Sequence, residues 1–295
     1  MTNEAVNLII LAFMILVLGF AFYSIWDTGR IYEDSDAARY ETYKPTDEED
    51  SPSFEELCAM NPDVLGWISI YGTGIDYPVV QGETNDDYIN TNVEGQFALG
   101  GSIFLDAANQ RDFSDFNTII YGHHMEKNEM FGDLDLFEDE AFFNSHEYGS
   151  LYYGNRLHGL HMFAMIDADA YDFTLNNAKV SDGGRESFLA YVKKIARFSR
   201  DIGVKADDHV VLLSTCASGT DRRYVLMARI EDQVHPDTFA NTSDHTVKRQ
   251  VAGKPSADGM APRLIAGLSL AAGVLLILYF VVKRGDAGFD WKKKK

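Results

Sequence analysis

Between residues 65 and 230 the chain is broken into short apolar runs, and this spacing restricts the fold more than any other feature of the sequence. The runs are Leu65 to Tyr71, Ile75 to Val80, Gly100 to Leu105, Thr118 to Tyr121, Leu151 to Tyr153, Leu160 to Ala168, Val210 to Thr215 and Tyr224 to Ile230. Gly, Asn and Asp separate many of them. Short runs at close spacing predict a mainly β domain, a barrel or a sandwich, with helices inserted into it. Two helical patterns interrupt the series. Glu138 to Ser145 is the shorter. Glu186 to Ser199 places Phe188, Leu189, Val192, Ile195 and Ala196 on one face. A further helix is expected from the capping-box pattern Ser53-x-x-Glu56. It should stop before Asn61-Pro62, because the residue preceding a proline disfavours helical dihedrals.

Two longer runs flank this region. Leu8 to Trp26 carries no charge and is long enough to cross a bilayer as a helix. No small-x-small cleavage site closes it, so an uncleaved anchor is expected, with Tyr23 and Trp26 at the interface. Leu264 to Val282 is a second span, followed by Lys283, Arg284 and Lys292 to Lys295. Basic residues mark that side as cytoplasmic. The expected order is a short cytoplasmic N-terminus (1–7), an anchor (8–26), an acidic linker (27–53), an extracellular folded domain (54–235), a polar stalk (236–263), a second transmembrane helix (264–282) and a basic cytoplasmic tail (283–295). The formal net charge of -19, with no basic patch mid-chain, argues against nucleic acid as a partner. The lipid bilayer is the partner that the two spans imply.

Chemistry concentrates in two stretches. Val210 to Ile230 reads as a hairpin with Cys216 at one strand end and Arg222 and Arg223 opening the next. A thiol beside a fixed positive charge is biased toward thiolate, the nucleophilic form. A small buried thiol fits the same residues, since free Cys is often core. Asn117 to Met125 reads NTIIYGHHM, a short strand ending at Gly122 and then His123 and His124. Cys at one strand end and His at another is the pair that thiol acyl transfer requires. Along the last strand Tyr224, Leu226, Ala228 and Ile230 form a uniformly apolar face that should point inward. Alternation puts Arg222 on that inner parity and Arg223 on the outer one. The other cysteine, Cys58, shares a helix face with Phe54 and Leu57 and reads as core. His158-x-x-His161 lacks a further ligand at suitable spacing, and the acidic stretch Asp133 to Glu140 lacks a glycine-turned loop. No metal or cofactor is expected.

Tyr121-Gly122-His123, then Leu213-Ser214-Thr215-Cys216, then Arg223 at a strand start resembles the sortase family. Residues Asn61 to Met125 resemble its class B members in particular. The resemblance covers most of Phe54 to Ile230. It implies an eight-stranded barrel, with a long helix between the sixth and seventh strands where Glu186 to Ser199 lies. It also implies a cysteine transpeptidase that cleaves a C-terminal sorting motif of surface proteins and passes the acyl group to an amine, anchoring proteins to the cell wall. The acceptor would come from a cell-wall peptide or, in pilus assembly, from a pilin lysine. Cys216 would be the nucleophile. His123, directly after Tyr-Gly, would be the general acid and base rather than His124, and Arg223 the oxyanion clamp. Asn85, Ile89, Tyr121 and Ser214 would line the substrate groove. The chain departs from the family at Leu212, where Thr is frequent, and at Ala217 and Ser218, where some members carry an acidic residue. Asp221 is a weak substitute there. The acidic linker holds no Asp-Pro-aromatic lid. A papain-like protease, releasing the acyl group to water, is the rival reading of the same Cys and His.

Overall fold

The computed structural model describes residues 3–45, 52–125, 128–216 and 222–240. The connector 217–221 with Asp221, most of the expected stalk, the second span 264–282 and the basic tail lie outside the described residues. The chain divides into two compact units, one holding the N-terminal residues to Gly29, the other beginning at Arg30 and holding every strand.

Helix α1, Asn3–Ser35, contains the whole first apolar run. Its side chains at Leu11, Leu16, Phe20 and Phe22 are exposed, and it is long and apolar enough to cross a membrane. The helix continues nine residues past Trp26, through Ser35, where a linker was expected. A 3-10 turn, Ala37–Tyr43, follows it, started by Asp36, whose carboxylate accepts the Ala38 N–H at 2.9 Å. Tyr40 in that turn is only 4% exposed, so part of the acidic segment is packed structure. Helix α2, Pro52–Met60, opens one residue before Ser53. Pro52 suits the first turn because the N–H it lacks would have had no partner there. The helix ends where Asn61-Pro62 requires.

All eight expected strands form: β1 (Val64–Ile70), β2 (Asp76–Val80), β3 (Ile103–Leu105), β4 (Asn117–Tyr121), β5 (Tyr148–Tyr153), β6 (Arg156–Asp169), β8 (Val210–Cys216) and β9 (Arg222–Glu231). They close into a ring in the order β5-β1-β2-β3-β4-β8-β9-β6, with β6 returning to β5. The β5–β6 turn has positive φ at both Gly154 and Asn155, the two-residue geometry whose twist matches a hairpin. A ninth strand, β7 (Phe198–Ser199), adds to the outer edge of β6.

Strands β4 and β8 are covered on both faces, which is why Ile119, Ile120 and Val210 to Leu213 are apolar without alternation. Ile120, Leu213, Leu226 and Ala228 fill the interior. Ile119, Leu212, Val225 and Met227 face outward, beneath helix α4 (Arg185–Ile195). A third cluster joins Trp67, Val80, Phe104 and Tyr152 to Phe54 and Leu57 of α2 and to Tyr40. Cys58 is a half-buried free thiol packed against this cluster, and burial raises its pKa. Helix α4 uses the expected face but ends at Ile195, not Ser199. Arg197 and Arg200 instead donate their N–H groups to Met165 and Phe163 on the open edge of β6, and Phe198 packs against the interior cluster. The shorter expected helix forms as α3 (Glu140–Ser145), preceded by a 3-10 turn, Gly132–Glu138. His158 stacks on Tyr153 while His161 pairs with Glu231, so the two rings do not share a ligand. Past residue 235, Phe239 stacks on His146 at 4.6 Å, so packing extends into the segment read as stalk.

Candidate active site

Three strand ends meet at one rim of the ring. Strands β4 and β8 run parallel, with Tyr121 opposite Ser214, and the Gly122 N–H donates to the Ser214 carbonyl at 3.3 Å. His123 and Cys216 each follow that pair by two residues. Strands β8 and β9 are antiparallel, and Cys216 is the register partner of Arg223. Arg223 has the parity of Val225 and Met227, both members of the outer cluster. Along β9, Leu226 and Ala228 lie inside the ring and Val225 and Met227 outside it, the alternation expected of the strand.

The two arginines differ in what already holds them. Arg222 is exposed and its Nε donates to Asp167 on β6 at 2.6 Å. Arg223 is half-buried, with its guanidinium carbon 5.8 Å from the centre of the Tyr121 ring. Its Nε is buried with no hydrogen-bond partner among the described residues. A buried donor left unpaired costs about 1–3 kcal/mol.

The two histidines are also separated. His123 Nε2 lies 2.8 Å from the Ile89 carbonyl. A carbonyl oxygen only accepts, so Nε2 carries the proton and Nδ1 is the basic nitrogen of the neutral ring. His124 instead meets Asp135 at 3.2 Å and lies beside Tyr224. The backbone leaves little freedom here. A Cβ at Gly122 would press on the Phe131 ring at 2.9 Å. Gly101 has φ +59, and a Cβ there would collide with the Ile89 carbonyl that receives His123.

The expected groove residues fall into different roles. Tyr121 donates its hydroxyl to Asp106 at 3.1 Å. Burial, then the Asp106 charge, hold its phenol well above the usual range, with Arg223 opposing. Asn85 is exposed, but its amide is engaged at both ends: Nδ2 donates to Asp106 at 3.0 Å and Oδ1 accepts the Ala107 N–H at 2.7 Å. Ile89 is half-buried and presents its carbonyl to His123. Ser214 has 0% exposure and does not line open surface. Asp106 and Gly101 were not anticipated. The one signal for Asp106 is that a carboxylate closes the apolar run ending at Leu105.

No protein-family model matches the chain. Sortase B of Staphylococcus aureus is 34% identical over 184 residues, which is 61% of this chain and 75% of that protein. A Streptococcus pyogenes class B sortase involved in pilus biogenesis is 40% identical, covering 60% of this chain and 97% of the solved one with a TM-score of 0.57. Sortase B from the type II pilus of Streptococcus pneumoniae is 42% identical, covering 61% and 99%, with a TM-score of 0.54.

Proposed function

Since the chain belongs to the class B sortases and is therefore a cysteine transpeptidase, we propose that Cys216, His123 and Arg223 carry its chemistry and that it acts on surface proteins outside the membrane. The observation that supports this most is the strand register, with His123 and Cys216 two residues past one parallel pair and Arg223 opposite Cys216. The Cys216 thiolate attacks the carbonyl carbon of the scissile peptide bond. The carbonyl oxygen becomes an oxyanion facing the Arg223 guanidinium, a fixed charge where negative charge develops. The C–N bond breaks as His123, in its protonated form, gives a proton to the leaving amine, and a thioester remains on Cys216. An incoming amine then loses a proton to His123 and attacks the thioester, forming a new amide and regenerating the thiolate.

The substrate on this reading is a protein with a C-terminal sorting motif, and the acceptor a cell-wall peptide amine. A second reading, joining pilin subunits through a lysine amine, is favoured by identity: the two pilus-associated relatives, at 40% and 42%, exceed the 34% of the Staphylococcus aureus protein. The test is mass spectrometry of products from a sorting-signal peptide across titrations of oligoglycine and of a lysine-side-chain amine. Product should move from acid to amide as either amine rises, and the more effective amine identifies the acceptor class. Hydrolysis that no amine diverts would instead support the protease reading.

Helix α1 and the span at 264–282 would hold the domain outside the plasma membrane with both termini cytoplasmic. External protease on intact cells should then digest residues 27–263 and spare a tag placed after Lys295. Loss of the tag together with the domain would overturn the two-span topology.

The close approach at Gly101 yields a separate expectation. Gly101→Ala should displace the Ile89 carbonyl, release the His123 ring, and lower kcat by roughly 10-fold or more, since small misplacements of catalytic groups are costly. Gly95→Ala is the control. Gly95 has φ +78 but open space around its would-be Cβ. It should lose stability from backbone strain alone and keep its turnover. Equal kcat in the two variants would remove the Ile89 carbonyl from the argument.

A further inference from the structure

Building on the transpeptidase reading of the rim, we propose that Asp106 is a positioning residue: it holds the Tyr121 ring beneath the Arg223 guanidinium and fixes Asn85 at the edge of the same surface. Asp106 follows β3 and is 7% exposed. Its own backbone is tied down, with its N–H donating to Ile119 at 2.8 Å and its carbonyl accepting from Gln81 Nε2 at 2.8 Å. Its Oδ1 accepts the Ala108 N–H at 2.8 Å, and its Oδ2 accepts from the Tyr121 hydroxyl at 3.1 Å and from Asn85 Nδ2 at 3.0 Å. All of these donors are neutral. A buried carboxylate with only neutral donors is an expensive feature to keep. The nearest role for its charge lies one ring away.

A phenol that donates to a carboxylate is more electron-rich, and its face attracts a cation more strongly. The Arg223 carbon stands 5.8 Å from that ring, within the usual reach of the interaction. The ring is held by its hydroxyl and by Phe104, whose ring centre is 5.4 Å away. Among the described residues no carboxylate pairs with Arg223, whereas Arg222 has Asp167. The Tyr121 face is thus what orients Arg223. A carboxylate placed directly on Arg223 would occupy its N–H groups and compete with the oxyanion. Acting through a ring, Asp106 orients the cation and leaves those donors available.

The test is a kinetic cycle on the full chain, with kcat and KM for a sorting-signal peptide and the melting temperature of each variant. Asp106→Asn keeps the size and removes the charge. It should lower kcat by about 10-fold, with a smaller change in KM, as a shift in the clamp would. In an Arg223→Ala background the same change should have no further effect on kcat, because the group it positions is gone. Tyr121→Phe removes one hydrogen bond and leaves Asp106 and Asn85 in place. It should lower kcat likewise and also lose its effect without Arg223, which keeps the proposal testable should Asp106→Asn fold poorly. Equal fold losses with and without Arg223 would show a purely structural role and overturn the proposal. So would an unchanged kcat in both single variants. The wild-type acyl-enzyme on Cys216 is measured first. Its absence overturns the transpeptidase reading, whereas its presence with independent Asp106 and Arg223 losses overturns only this inference.

Discussion

Cys216→Ala is expected to abolish turnover and the covalent adduct together. The motive is the register that places Cys216 at the end of β8, opposite Arg223 and beside the His123 end of β4. Within the proposed mechanism no other group can hold the acyl chain, and the rest of the rim cannot substitute for a missing nucleophile. Cys216→Ser should be nearly as inactive, because a hydroxyl is far harder to ionise than a thiol. His123→Ala should stop both half-reactions, since the same ring protonates the leaving amine and deprotonates the incoming one. His124→Ala should retain most activity, since its ring is engaged with Asp135. Mass spectrometry reads both quantities: product formed, and the mass added to the protein. Full activity in Cys216→Ala would overturn the mechanism. Equal losses at His123 and His124 would overturn only the choice of histidine.

The second large effect separates two adjacent arginines. Arg223→Ala should slow acyl-enzyme formation by roughly 10²–10³-fold, the range for removing one preorganised oxyanion donor. Arg222→Ala should cost far less, because its Nε is already given to Asp167 on the exposed edge of the strand pair. What it loses is a surface ion pair, worth about 0–1 kcal/mol. Single-turnover acylation rates are the relevant measurement, since steady-state rates mix in the amine step. Similar losses for the two variants, or a larger one at Arg222, would show that outer parity on β9 does not select the clamp.

The amino-acid sequence determined the local features of this protein. Eight strands were legible because apolar runs punctuated by Gly, Asn and Asp are a property of neighbouring residues. The two faces of β9 were legible for the same reason: alternation is a count of two, and the packing of Leu226 and Ala228 inside and Val225 and Met227 outside follows it. His123, Cys216 and Arg223 could be proposed because their residue types suit the chemistry and a family pattern points to them.

The tertiary structure decided what depends on main-chain groups or on distant partners. Nothing in the residue types around Ile89 shows that its carbonyl receives His123, since every residue has a carbonyl; only the fold brings the two together. The same holds for Phe198, which left a helical pattern because the edge of β6 offered backbone partners. It holds too for Asn85, whose amide is taken by Asp106 and Ala107. Ser214, read as a groove residue from the family resemblance, is fully covered, and a strand's own residues do not record what packs around them. Parallel pairing of β4 with β8 joins segments far apart in the chain. Hydrogen bonds between backbones carry no residue code, so that pairing, which sets the chain ends that lead to His123 and to Cys216 side by side, was decided by closure of the ring.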